Sequence, residues 1–327
     1  MESFKVVRLH NENGHRVSRV EEARLDDLDP GDVVIRSQYA AVNYKDARAV
    51  TGAGNVVKRF PCIPGIEVGG IVAASKSPKF REGDVVTVQG GPEFGIRHDG
   101  AYSEFVRVPA EWVHPVAGGF DSFSVVALGI AAYTAAVAVE ELIAHGVSPD
   151  KGKVAVTGAT GGCASFVIDM LAGLGFHVVA VSGKPEAADY LRELGAKEII
   201  GRDAIAPGDK PLEAQLWAGA IDAVGGKPLD DLLRTMKKRG VVCAYGNAAA
   251  ETFTTSIYPF ILRSVQLVGV NANHPVGLRG GAWRRLAGDL RPRNLDRIVT
   301  RVPFAGLPAY CERVIAGGIR GRGVVQF

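Results

Sequence analysis

Three glycines in the run Thr157-Gly158-Ala159-Thr160-Gly161-Gly162-Cys163-Ala164-Ser165 carry the clearest chemistry in this chain. Small side chains leave the backbone N–H groups of such a turn approachable, and N–H groups at a helix start attract an anion. The chemistry implied is the binding of a pyrophosphate. Ala159, Gly161 and Ala164 hold the three places of the G-x-G-x-x-G dinucleotide pattern. Only the middle glycine is kept, the one that lets a phosphate approach closely. About 20 residues further on, an NAD-binding chain carries Asp or Glu for the ribose hydroxyls. Here the second strand ends in Ser182-Gly183-Lys184 instead. A carboxylate would repel a 2′-phosphate, whereas a hydroxyl and an ammonium bond it, so NADPH is expected rather than NADH. Arg202, just after the third strand, is expected to join them.

The elements that must position this loop are legible around it. Residues 154–157 read as a strand buried on both faces, and the apolar run 166–174 as the helix packed on it. Further strands are read over 177–181, 198–200, 220–224, 241–245 and 266–270. Helices are expected at 185–195, 229–238 and 258–263, after a long buried helix over about 124–145. Alternating short apolar runs and helices predict an α/β fold with a doubly wound parallel sheet. Before it, strands over 4–9, 32–39, 67–73, 84–88 and 102–108, broken by Gly and Pro, read as an all-β module.

The chain has 327 residues, 47% hydrophobic and 22% charged, which suits two globular domains. Cys62, Cys163, Cys243 and Cys311 are scattered, and the N-terminus shows no apolar leader, so free thiols in the cytoplasm are expected. The longest apolar run, 123–139, is too short for a bilayer, and no membrane partner is expected. A net charge of +3 gives no case for nucleic acid. From Asn273 onward, however, ten arginines face only Asp289, Asp296 and Glu312.

Five blocks carry a resemblance over nearly the whole chain: Asn43-Tyr44-Lys45-Asp46, the run 60–66, the run 156–162, Trp217-Ala218-Gly219-Ala220-Ile221-Asp222, and Pro259-Phe260-Ile261-Leu262-Arg263. In them the sequence resembles the zinc-free medium-chain dehydrogenase/reductases, in the acryloyl-CoA reductase or quinone oxidoreductase branch (YhdH/AcuI-like). The resemblance implies a Rossmann domain (123–272) inserted into a GroES-like β-rich substrate domain (1–122 and 273–327), with residues 321–325 returning to the first domain. It implies cofactor contacts at Tyr44, Thr160, Gly161, Gly162, Cys163, Ser182, Gly183, Lys184, Arg202, Asn247 and Ile261. Asn43, Tyr44 and Asp46 are implied as the catalytic cluster. Asn43 or Tyr44 would donate to a developing enolate, and Asp46 would orient its neighbours.

Zinc relatives carry Cys where Asn43 stands and His where Ile66 stands, so no metal is expected. Without a Lewis acid, an activated C=C is the more accessible hydride acceptor. The implied function is NADPH-dependent reduction of a short α,β-unsaturated acyl-CoA. Reduction of a quinone or free enone is the alternative, and a catalytically silent NADPH-binding protein is the rival of another class. Arg279, Arg284, Arg320 or Arg322 would bind the phosphates of coenzyme A. Similarity also suggests a homodimer.

Overall fold

The computed structural model describes residues 3–91, 93–116, 119–206, 208–272 and 276–327. The chain forms two compact units, Met1–Ile130 with Val299–Phe327, and Ala131–Ile298.

The first unit begins with β1 (Phe4–Glu12) and β2 (His15–Ala23), an antiparallel pair. They are joined at Asn13-Gly14, both at positive φ, the turn that matches strand twist. The sequence reading missed β2. Its alternation is filled with charge, and nearly all of it is at least partly exposed. The remaining strands are β3 (Val33–Val42), β4 (Glu67–Ser75), β5 (Val85–Gln89), β6 (Phe105–Val108) and β7 (His114–Pro115), with α1 (Tyr44–Val50) leaving the end of β3. Side chains of this unit, among them Val33, Ile35, Val68, Val86 and Tyr102, form one buried core.

Helix α2 (Ser122–Ala144) departs from the expected continuous helix. Gly129 sits inside it at φ 46, ψ −152, and splits it into two helical segments. The Glu67 carboxylate takes the Ile130 N–H at 3.2 Å. A Cβ on Gly129 would lie 2.0 Å from Glu67 Oε2, so only glycine fits there. By length and composition α2 is apolar enough to cross a membrane, and 83% of its most apolar window is buried.

The second unit follows with β8 (Lys153–Val156), α3 (Gly162–Gly173), β9 (His177–Val181), α4 (Ala188–Glu193), β10 (Glu198–Ile200), β11 (Trp217–Asp222), α5 (Gly226–Thr235), β12 (Met236–Ala244), α6 (Tyr258–Arg263) and β13 (Gln266–Gly269). Among the described residues these make a six-stranded parallel sheet in the order β10-β9-β8-β11-β12-β13. This is the Rossmann sheet. The order of strand addition reverses between β8 and β11, which run parallel, and the glycine loop leaves β8 at that switch point. Helix α5 starts earlier than expected, and β12 already begins at Met236.

Helices α7 (Val276–Ala287) and α8 (Leu295–Ile298) also belong to the second unit, so the compact boundary falls at Ile298 rather than at 272. The buried Asp169 of α3 holds this segment by accepting from Arg293 N at 2.7 Å and Asn294 Nδ2 at 2.5 Å. The chain then returns through β14 (Val299–Pro303), α9 (Leu307–Ile315) and β15 (Arg322–Gln326). Strand β15 pairs antiparallel with β3 and parallel with β14. The first unit's larger sheet thus runs β14-β15-β3-β4-β5-β7, with β6 also on β3. That β-rich sheet, closed by the last strand, is the GroES-like domain around a Rossmann insertion.

Candidate functional site

In the second unit, the loop after β8 is shaped by two fixed points. Gly158 lies at φ +59, where L side chains are strained, and a Cβ there would stand 3.0 Å from Val224. Thr157 Oγ1 donates to Asp222 Oδ1 at 2.6 Å and accepts from Ala223 N at 3.0 Å. Asp222 is buried and also takes the N–H groups of Gly225 and Val224; burial raises its pKa. This lock ties the ends of β8 and β11 together at the switch point. Helix α3 then starts from Gly161 with no side-chain cap, which leaves its first N–H groups directed at the loop.

An open cleft of about 180 Å³ runs from this loop. Thr160, Ser182, Gly183, Lys184 and Arg202 line it together, as the sequence suggests. Ser182 Oγ accepts from Lys184 N at 3.0 Å, which fixes the turn after β9. Apolar side chains line it as well, from Ile205, Val224, Pro228, Ala248 and Ala249. Such a wall suits a planar base, and sequence reasoning missed it because isolated apolar loop residues form no motif. The only available signal was the Gly225-Gly226 pair after β11.

Gly161, Gly162 and Cys163 form the first turn of α3 beside the cleft, with the Cys163 thiol against the Tyr245 hydroxyl. Asn247 follows β12, exposed, next to the lining residue Ala248. Ile261 is different: it is 62% exposed on α6 and is not among the residues lining the cleft. Its neighbours in sequence, Ile257, Tyr258 and Leu262, are exposed as well.

In the first unit, Asn43 is the N-cap residue of α1, Tyr44 its first residue and Asp46 its third. Asn43 Oδ1 accepts from Arg322 Nη1 at 2.7 Å. Its Nδ2 donates to Asp46 Oδ2 at 2.8 Å and to Glu67 Oε1 at 2.9 Å. A guanidinium on one side and two carboxylates on the other set the amide's orientation. Both amide N–H groups are therefore committed, which removes Asn43 from the donor role expected of it. Tyr44, 45% exposed, keeps the position from which a hydroxyl can reach a ligand.

Asp46 is fully buried and accepts from Asn43 N at 3.0 Å and Ile66 N at 3.2 Å as well. Burial pushes its pKa up to about 6, against the opposing pull of the Asn43 hydrogen bonds. Its carboxylate thus ties the start of α1 to the backbone before β4. Arg322 Nη2 donates to Glu67 Oε2 at 2.6 Å and to Val126 O at 3.2 Å, with both ionic side chains almost wholly buried. Arg322 is therefore corrected from a coenzyme A ligand to a buried counter-ion. Arg284 and Arg320 are exposed, and the side chain of Arg279 lies outside the described residues. Among the described residues no group of three or more His, Cys, Asp or Glu is arranged to hold a metal ion.

Two family models match the chain, the alcohol dehydrogenase GroES-like domain over residues 29–118 and the zinc-binding dehydrogenase over residues 150–287. The acrylyl-CoA reductase AcuI of Ruegeria pomeroyi is 38% identical over 323 residues, 98% of each chain. The crystal structure of E. coli YhdH with bound NADPH superposes with a TM-score of 0.92 at 37% identity, covering 98% of this chain and 99% of that one. Bacillus subtilis YhfP, solved with NAD bound, gives 0.93 at 36% identity over all of both chains. The inserted parallel sheet, its glycine loop at the switch point and this full-length likeness make one statement: the chain belongs to the medium-chain dehydrogenase/reductases, in the YhdH/AcuI-like family.

Proposed function

We propose that the protein reduces the C=C bond of a short α,β-unsaturated acyl-CoA, of the acryloyl-CoA to propanoyl-CoA type, using NADPH and no metal. The observation that carries this reading is the full-length likeness to the Ruegeria acrylyl-CoA reductase. NADPH supplies the hydride when bound. The residues present fit it: the uncapped start of α3 and Thr160 for the pyrophosphate, Ser182, Lys184 and Arg202 for the 2′-phosphate, and the apolar wall for the adenine.

Hydride arrives at the β-carbon of the substrate, and the electron pair of the C=C bond moves toward the thioester oxygen. The Tyr44 hydroxyl donates to that oxygen as charge develops there. The proton needed at the α-carbon comes from Tyr44 or water, and its delivery completes the saturated thioester. Asn43 and Asp46 act by holding the start of α1, and with it Tyr44. Zinc does not fit the residues present. Asn43 offers an amide, Ile66 offers no donor atom, and the Glu67 carboxylate is already paired with Arg322.

The molecule is proposed to work as a cytoplasmic homodimer. β13 is an edge strand of the Rossmann sheet, and Ile257, Tyr258, Ile261, Leu262 and Leu267 are exposed around it. An apolar edge of this kind calls for a partner strand. All four cysteines are thiols, in keeping with a reducing compartment.

The test is a panel of acryloyl-CoA, crotonyl-CoA, a quinone and a simple enone, each followed by NADPH oxidation. Acryloyl-CoA is expected to give the highest kcat/KM. A quinone or enone that matched it would replace the acyl-CoA reading, and tight NADPH binding with no turnover on any acceptor would mean a silent binding protein.

A further inference from the structure

Gly183 has no conformational reason to be glycine. Unlike Gly158, it is not among the residues with positive φ, so its backbone would accept an L side chain. What it lacks is space. A Cβ at position 183 would stand 3.0 Å from Nε, 3.2 Å from Cζ and 3.4 Å from Nη2 of Arg202. Three atoms of one planar group thus stand against the place a side chain at 183 would take.

The sheet brings these two positions together. β9 and β10 are parallel with Val181 beside Ile200, and Ser182 N donates to Ile200 O at 3.0 Å. Gly183 and Arg202 are thus the residues that follow the ends of two hydrogen-bonded strands. The backbones have little freedom to separate, so a Cβ at 183 must shift the guanidinium by a few tenths of an ångström, and a larger side chain must shift it further. Arg202 is exposed and its stem is flexible, so this displacement costs the fold little. Its effect falls on whatever the guanidinium binds.

We propose that Gly183 determines cofactor selectivity through Arg202: the missing side chain seats the guanidinium across the cleft wall, where it holds the 2′-phosphate that separates NADPH from NADH. A carboxylate missing after β9 explains only why that phosphate is tolerated. The seated guanidinium explains why it is preferred, since a planar fork on a phosphate gives charge-assisted bonds that ribose hydroxyls cannot match. This inference rests on the reading of the cleft as the site of the cofactor's 2′-phosphate.

The experiment measures the affinities of NADP⁺ and NAD⁺ by calorimetry for the wild type, Arg202→Ala, Gly183→Val and the double variant, with no acceptor present. Arg202→Ala is expected to lower the NADP⁺ to NAD⁺ affinity ratio by about tenfold or more, the loss of one hydrogen bond to a charged group. Gly183→Val is expected to lower it comparably with NAD⁺ affinity kept, and the double variant no further than Arg202→Ala alone. Gly183→Ala, with a smaller side chain, should fall between wild type and Gly183→Val, and it serves if the valine variant does not fold. The proposal is overturned if Arg202→Ala lowers the ratio but the Gly183 variants do not. It is also overturned if those variants weaken both nucleotides equally, or if the double variant loses more than Arg202→Ala. If Arg202→Ala itself leaves the ratio unchanged, the 2′-phosphate reading of the cleft falls too.

Discussion

The phosphate cleft and the Asn43–Glu67–Arg322 cluster are built on opposite plans. The cleft is open, made mostly of backbone and small side chains, and its cations Lys184 and Arg202 stand at its wall. The cluster is closed. Its guanidinium and carboxylates are buried, and Asn43 spends both amide N–H groups inside it. Groups held open can exchange an anionic ligand, whereas groups that satisfy one another can only set a geometry. Under the proposed function, binding falls to the first region and direct chemistry in the second falls to Tyr44.

The largest effect that would break this contrast is on folding. Glu67→Gln should cost about 3–5 kcal/mol of stability, because it leaves the Arg322 guanidinium buried without its counter-ion. Chemical denaturation measures this, and a loss of under about 1 kcal/mol would show that the cluster is not a structural frame. Arg202→Ala, an open-cleft change, should shift the unfolding midpoint hardly at all, since exposed charges contribute little.

Next in size is Tyr44→Phe, which should lower kcat by about 10²-fold, the usual result of removing one oxyanion donor. The KM for NADPH should stay near the wild-type value. An unchanged kcat would move the donor role elsewhere. Lys184→Ala is expected to do the reverse, raising the NADPH KM by about tenfold with kcat kept and the NADH KM unmoved, which initial rates would show.

The smallest effect concerns pH. The pKa of Asp46 is raised to about 6 in the folded chain from an ordinary value of 3.8. Between these two values the native state binds the proton more tightly than the unfolded chain, so this group's contribution to stability is greatest below pH 4 and falls as pH rises through 6. Unfolding free energies of the wild type and Asp46→Asn, compared between pH 4 and 7, should show the wild type losing stability relative to the variant as pH rises. Parallel curves would mean that the Asp46 carboxyl is ordinary.

The two regions also differ in how much of them the sequence could reveal. The loop from Thr157 to Ser165, the strands over 177–181 and 198–200, and the Ser182-Gly183-Lys184 turn were readable because each is contiguous and follows a local periodicity. The cluster was not, because Arg322 lies 255 residues from Glu67 and reads in sequence as one more arginine in a basic tail. Gly129 likewise looked like a tolerated glycine within an apolar helix. Nothing local announced the Glu67 carboxylate that breaks the helix there. Asn43 and Asp46 were found by likeness to a family, and only the structure shows the hydrogen bonds that commit both amide N–H groups of Asn43.

The central claim is hydride addition to the β-carbon of an unsaturated acyl-CoA. It is tested most directly by turning over acryloyl-CoA with NADPH carrying deuterium at the transferable nicotinamide position and locating the label by mass spectrometry and NMR. The account predicts propanoyl-CoA with one deuterium at its terminal carbon and a solvent proton at the carbon next to the thioester. Product without deuterium in the acyl chain, deuterium beside the thioester, or an aldehyde or alcohol in place of propanoyl-CoA would contradict it.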